Sequence, residues 1–389
     1  MTHVLLISHE LIPSVRLCGY EQYTHMQEQG LIELRFSPAK SLTPELAGWA
    51  DVVQFVRPDS AAELVCAREL RQAGKYLIFT LDDDLFEIPD GFGSSEYYRR
   101  QNVVRNMREI MSLCHCFLSP SAHLRTKYGQ GFERVCAIEE PALFDEPPSP
   151  TRMPSEKLRI GFAGSIDRAG DIDSLLRQAL SEVARRYGDR VDIEFFGAKP
   201  ALIEQLHFRH IPYCDSYEEY QSTIRRLQWD IGLAPMPDSE FHRGKHYNKF
   251  VEYAACGIVG VYSDVLPYKG TVEHEISGML SSNDPESLLA SIERLILDPA
   301  LLASMRQNVV ALATDRFSLP AVTDALRTEL GDILKTATDH APLRFAKKLR
   351  RVDLSERITA GIRQEGLFKV VWKKSKKVLS GIFSHKSTV

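Results

Sequence analysis

Residues 144–157 read FDEPPSPTRMPSEK. Four prolines among acidic, basic and hydroxyl neighbours deny this stretch both a helix and a central strand, because proline has no backbone donor and clashes with the preceding turn. It is a linker, and the pattern on either side of it decides the fold. Upstream, HVLLIS, LIELRF, DVVQFV, KYLIFTL, CFLS and RVCAI are short apolar runs. Helix-like segments such as AAELVCARELRQAG and YYRRQNVVRNMREIMSLC lie between them. Downstream the alternation restarts with LRIGFAG, DIDSLLRQALSEVARRYG, VDIEFFG, DIGLAPM, IVGVYS and GMLSS, and closes on PESLLASIERLILDPALLASMRQNVVALA. Strands that alternate with helices make parallel sheets covered on both faces. The expectation is therefore α/β: two Rossmann-like, doubly wound units over 1–143 and 158–335, joined by 144–157 and facing a cleft. Ligands of such sheets bind outside the carboxyl ends of the strands.

A chain of 389 residues has room for two such cores. No apolar run approaches the roughly 20 residues of a membrane span, and the opening VLLI reads as a first buried strand. The seven cysteines are scattered without a C-x-x-C pair. Cys114 and Cys116, around His115, read as small core thiols of a strand rather than as metal ligands. These features place the protein in the cytoplasm. Net charge is −4, but residues 341–389 hold thirteen Lys/Arg against three Asp/Glu. The acidic remainder argues against nucleic acid as a partner. Within the basic tail, GLFKVVWKKSKKVLSGIF (366–383) puts Leu367, Val371, Trp372 and Ile382 on one helical face and its lysines elsewhere. That is the pattern of a helix lying on an anionic membrane surface, with a partner-protein helix as the rival reading.

Three stretches carry candidate chemistry. IGFAGSIDRAGD (160–171) joins a strand to a helix, so amides after Gly164 and Ser165 can meet a phosphate, with Arg168 adding charge and Asp171 capping the helix. FHRGKHYNKFVEYAACG (241–257) gathers an arginine, two lysines and two histidines before a small-residue helix. At helical spacing Lys249, Glu252, Tyr253 and Cys256 share one face, and Phe250, Val251, Ala254 and Ala255 face the sheet. Lys245 precedes them by about a turn. One lysine beside a phosphate is worth about 4 kcal/mol at an effective dielectric of about 20, and a carboxylate such as Glu252 suits the two hydroxyls of a ribose. A surface helix with a weak Lys249–Glu252 pair is the equal alternative. TLDDDLF (80–86) ends a strand with Asp82, Asp83 and Asp84. These can orient acceptor hydroxyls, with Asp83 as a base; pair with Arg57, Arg99 or Arg100; or hold a divalent metal. In SHELIPSVRLCGYEQY (8–23), His9 and Glu10 sit just past the first strand, facing the cleft on its acceptor side, and Arg16 follows at a helix entrance, where it meets the acceptor or the donor phosphate or is a plain surface helix start. His123 reads as a solvated helix residue.

The stretch DIGLAPMPDSEFHRGKHYNKFVEYAACGIVGVYSDVLPY (230–268) resembles the donor-binding region of nucleotide-sugar glycosyltransferases of the GT-B fold, close to glycosyltransferase family 4. The shared positions are Asp230, Phe241, Lys245, Lys249, Glu252, Tyr253, Gly257, Ser263 and Asp264, and GFAGSIDRAGD is similar to the family's strand-to-helix turn. PSVRL, DVVQFVRP and GKYLIFTLDDDLFEIP resemble a branch active in bacterial surface-polysaccharide synthesis. The resemblance implies that Glu252 holds the nucleotide ribose and that Lys245, Lys249 and Arg168 neutralise the leaving diphosphate, with Gly164, Ser165 and Tyr253 completing the donor site. It implies a retaining transfer to a glycan or lipid-linked acceptor, with no metal and no cofactor beyond the nucleotide sugar; Lys249, Glu252, Asp83 and Arg168 are the catalytic candidates. The chain departs from the pattern in two places. Gly244 stands where the family often has a second Glu, and FFGAKP offers only Lys199 where an Arg and a Lys often grip the diphosphate. Another GT-B enzyme, such as a nucleotide-sugar epimerase, and a non-catalytic sugar-nucleotide or glycan binder are the alternatives.

Overall fold

A computed structural model describes residues 1–144, 146–151, 156–214, 216–343 and 349. The membrane-surface expectation for 366–383 lies outside the described residues. Six strands form the first sheet: β1 Thr2–Ile7, β2 Ile32–Ser37, β3 Val52–Val56, β4 Tyr76–Thr80, β5 Cys116–Ser119 and β6 Arg134–Ala137. Six form the second: β7 Leu158–Gly164, β8 Val191–Gly197, β9 Arg209–Ile211, β10 Ile231–Ala234, β11 Val259–Ser263 and β12 Met279–Ser281. Every strand pairing is parallel.

The first sheet runs β2-β1-β3-β4-β5-β6 and the second β12-β11-β10-β7-β8-β9. Read from its other edge, the second is the dinucleotide-fold order, while the first is of flavodoxin type. Each reverses direction once, between β1 and β3 and between β7 and β10. Those two switch points are where open α/β sheets build their sites.

Successive side chains of a strand point to opposite faces, so each sheet feeds two cores. Leu5, Ile7, Val53, Phe55, Leu77 and Phe79 pack on one face of the first sheet, and Val4, Leu6, Val52, Val56 and Ile78 on the other. In the second sheet Gly161, Gly232 and Gly260 stand side by side across β7, β10 and β11. A Cβ there would come within 1.9 Å of Trp229, 2.5 Å of Tyr253 and 2.0 Å of Tyr262 respectively. The bare row lets three aromatic rings lie flat on the sheet.

The expected second unit, 158–335, runs past its sheet. The helix Leu319–Leu330 and the turn Gly331–Lys335 dock on the first sheet instead, where Leu326, Leu330 and Ile333 join the core of Val4 and Leu6. Arg134 Nη2 donates to Glu329 O (2.6 Å), and His340 meets Asp51 (2.9 Å). The chain therefore crosses between lobes twice, and the crossings touch: Ala142 N donates to Phe317 O (2.7 Å).

Candidate functional site

At the switch point of the second sheet, β7 runs into a turn that holds Gly164 and the exposed Ser165, followed by Ile166–Arg168. Arg168 Nη2 donates to Pro235 O just past β10 (2.6 Å), so one guanidinium spans the two strand ends. Its buried Nε has no hydrogen-bond partner among the described residues, nor do Asp171 Oδ2 and His242 Nε2, which lie 3.8 Å apart. Asp171 is not the cap expected of it: the helix begins at Ala169, which puts Asp171 inside the first turn. Burial, with Lys245 and Arg168 nearby, pushes His242 down to about 4, so its imidazole is neutral at physiological pH.

The helix expected from Tyr247 runs Asn248–Ala254. Lys249 Nζ meets Glu252 Oε2 at 2.5 Å, the i,i+3 pair that a plain surface helix would show. This pair is not on plain surface, however, since the side chains are only 15% and 19% exposed. Tyr220 OH donates to Glu252 Oε2 (2.8 Å), and Lys249 Nζ donates to the same hydroxyl (2.8 Å). A narrow cleft opens here between Tyr217, Tyr220 and Glu252 on one side and Leu17 and Glu140 on the other. Tyr253 does not reach it. The ring is fully buried against Gly232 and its hydroxyl donates to Leu233 O (2.8 Å), so the expected donor contact is a core contact instead. Tyr217 and Tyr220, which line the cleft, come from YEEYQ, a segment with no local mark beyond helical spacing.

Lys245 reaches across to the first lobe. Its Nζ lies 3.0 Å from Asp83 Oδ1 and 4.4 Å from the Phe241 ring centre. The acidic triplet is engaged throughout. Arg57 grips Asp82 with both Nε and Nη2 and donates to Asp83 Oδ2 (2.8 Å). Asp84 is fully buried and accepts from Lys127 Nζ (2.9 Å) and Tyr128 OH (2.7 Å). Arg99 turns instead to Asp90 and Ile88 O. Burial alone would raise the Asp83 carboxyl, but Lys245 and Arg57 hold it down to about 2. A carboxylate so weakly basic and doubly paired is a poor proton acceptor, which corrects the expectation of Asp83 as base. Asp84 has no open path to an acceptor, and Asp82 is nearly closed off. Arg57 makes the clamp from a left-handed backbone (φ 49°), a conformation a non-glycine residue adopts at a cost.

The segment around Gly244 explains a departure from the family pattern. Phe241 is buried in the core of the first lobe, and Glu240 meets His123 (2.9 Å) and Lys127 (3.0 Å), so His123 is an interlobe contact and not a solvated one. A Cβ at Gly244 would stand 2.9 Å from Asp84 Cβ and 3.0 Å from Leu124. A glutamate has no room there while the lobes are together.

At the other switch point, His9 Nε2 meets Asp59 Oδ1 (2.8 Å) and lies 3.7 Å from Glu63. Asp59 also accepts from Tyr97 OH (3.0 Å). The Asp59 hydrogen bond, with help from Glu63, raises His9 to about 9 against the effect of burial, so it is cationic. Glu10 is exposed beside it. Arg16 pairs with Glu21 (2.7 Å) and, across the lobes, with Glu218, while its guanidinium sits 5.8 Å over Tyr217.

No family model and no curated protein sequence matches the chain. Solved structures share its fold. HepE from Anabaena, solved with UDP and with UDP-glucose, superposes with TM-scores of 0.57 and 0.59 at 15% and 14% identity, over about 85% of this chain and nearly all of that one. Sucrose-phosphate synthase from Thermosynechococcus elongatus gives 0.59 at 13% identity over 84% of this chain and 98% of that chain. The lipopolysaccharide outer core galactosyltransferase WaaB gives 0.57 at 11% identity, over 85% and 99%. Two Rossmann-like lobes facing one another across a cleft, in the company of these neighbours, make this a GT-B fold.

Proposed function

We propose that the protein is a glycosyltransferase that moves a sugar from a nucleoside-diphosphate sugar to a glycan or lipid-linked acceptor, in the assembly of a cell-surface polysaccharide or glycoconjugate. The observation that carries this reading is the cleft constellation: Lys249, Glu252 and Tyr220 tied together beside Tyr217, with Arg168 bonded to Pro235 O just past β10 and both Arg168 and Lys245 near His242. Three cations from the segments that follow β7 and β10 suit a diphosphate, and a carboxylate one helical turn from Lys249 suits a ribose. UDP is the favoured nucleotide, because HepE was solved with UDP and with UDP-glucose.

In this reading an acceptor hydroxyl attacks the anomeric carbon, the bond to the β-phosphate oxygen breaks, charge grows on the departing diphosphate, and the hydroxyl's proton passes to that departing phosphate oxygen. Lys245, Lys249 and Arg168 hold that charge in place, so the chain's own cations supply what a metal otherwise would. Resemblance to family 4 favours retention of anomeric configuration. His9, a cation beside Asp59, orients an acceptor oxygen in this reading. The protein works at the cytoplasmic face of a membrane, attached peripherally through 366–383.

Hydrolysis-corrected release of UDP from a panel of UDP-sugars, with and without candidate acceptors, tests the reading. Lys249→Ala and Glu252→Ala are each expected to lose at least a hundredfold in turnover while keeping the wild-type unfolding midpoint. Near-normal turnover in either variant refutes it.

A further inference from the structure

The lobes enclose a second space, lined by Arg243, Lys245 and Tyr247 and separate from the Tyr220–Glu252 cleft. Its volume is about 480 Å³, within the range of about 300–1,000 Å³ of small-molecule pockets. Cations line it from both lobes: Arg125 from the first, Arg243, Lys245 and Lys269 from the second, and Arg316 from the crossing. The two glutamates in the wall already have partners. Glu139 accepts from Tyr247 OH (2.5 Å) and Arg316 (3.0 Å), and Glu329 accepts from Ala137 N (3.2 Å). Lys245, Arg243 and Lys269 have carboxylates behind the wall, in Asp83 (3.0 Å), Asp238 (2.7 Å) and Asp264 (3.6 Å).

Arg125 has none. Its Nη1 donates to Ser119 O (2.6 Å), and among the described residues it forms no ion pair. Burial lowers its pKa below that of an ordinary arginine, and the charges of Glu139 and Glu329 only partly offset this. Holding a half-buried guanidinium without a counter-charge is costly, and an incoming anion removes that cost. Lys269 and Arg243 are 63% and 42% exposed, so both side chains are free to swing inward.

We propose that this groove binds a phosphate-bearing saccharide, with its phosphate on Arg125 and flanked by Lys269 and Arg243. Several cations converging from different directions suit a tetrahedral dianion better than one planar carboxylate. That the ligand is the charged part of the acceptor rests on the transferase reading; the site itself does not.

Calorimetric titration of the full chain with α-D-glucose 1-phosphate, with and without saturating UDP, tests the inference. The sugar phosphate is expected to bind with UDP present. Arg125→Gln should weaken it at least tenfold and Lys269→Gln, at an exposed position, several-fold, with glucuronate binding the wild type more weakly than the sugar phosphate does. Loss of binding when UDP is added, equal affinity in both variants, or glucuronate binding as tightly as the sugar phosphate overturns the proposal. Failure of UDP itself to bind counts against the transferase reading alone, because the Arg125→Gln comparison needs no nucleotide.

Discussion

His246 shows how far a single side chain can be driven by its neighbours. It is 1% exposed, with Glu139 and Glu140 at 3.5 and 3.6 Å and Asn248 Oδ1 at 2.7 Å from Nδ1. Burial opposes its charge, but the two carboxylates win and raise it to about 10. The folded state therefore keeps a proton that the unfolded chain, at an imidazole pKa of about 6.5, gives up. The stabilisation is complete below about pH 6.5 and is lost as pH rises toward 10. In urea unfolding from pH 6.5 to 9.5, the wild type is expected to lose stability more steeply than His246→Gln; parallel curves would show that the imidazolium contributes nothing. None of this was legible locally. HRGKHYNK advertises cations, yet the glutamates that set this one lie over a hundred residues upstream. The same distance hid Lys245 from Asp83, so the strand-end triplet looked open to substrate when its charge was already matched.

At the scale of elements, the alternation of apolar runs located eleven of the twelve strands, because most of them are buried along nearly their whole length and carry their own signal. The missing one, β9 Arg209–Ile211, is a three-residue edge strand in which no residue is buried, so it has no apolar run to read. The face assignment of the Asn248–Ala254 helix failed at Tyr253 for a different reason. A residue's face depends on what the sheet beneath can accept, and Gly232 leaves a recess for that ring. Gly232→Ala is accordingly expected to cost about 1–3 kcal/mol by overpacking, read as a lower chemical-denaturation midpoint with an unchanged slope. An unaffected midpoint would mean that Tyr253 moves aside freely. The linker reading of 144–157 rests on its prolines alone. The docking of Leu319–Leu330 was not, since an amphipathic pattern says that a helix is covered and never says by which sheet.

The whole molecule is drawn together by contacts made from one short stretch of the second lobe. Phe241 fills the first lobe's core, Glu240 meets Lys127, Lys245 meets Asp83, and Gly244 allows the backbones to approach. Gly244→Glu should hold the lobes apart. Small-angle scattering is expected to show a larger radius of gyration than wild type, and turnover of a nucleotide sugar is expected to fall at least tenfold. A variant as compact and active as the parent would separate Gly244 from closure. Here the departure from the family pattern was legible as an oddity, but its cause required the facing surface of Asp84 and Leu124.

The return of Leu319–Leu330 to the first sheet also bears on how the gene can be cut. A clone ending at residue 143 carries all six strands of the first sheet but leaves Val4, Leu6 and Val52 without the cover of Leu326 and Leu330. Expressed alone, such a half is a poor candidate for a soluble product. A trimmed version of residues 158–315, by contrast, keeps its own sheet and both helices Pro285–Leu297 and Pro299–Asp315. Dissecting this protein calls for a graft, with the 316–343 segment spliced behind residue 143, rather than a single snip at the prolines.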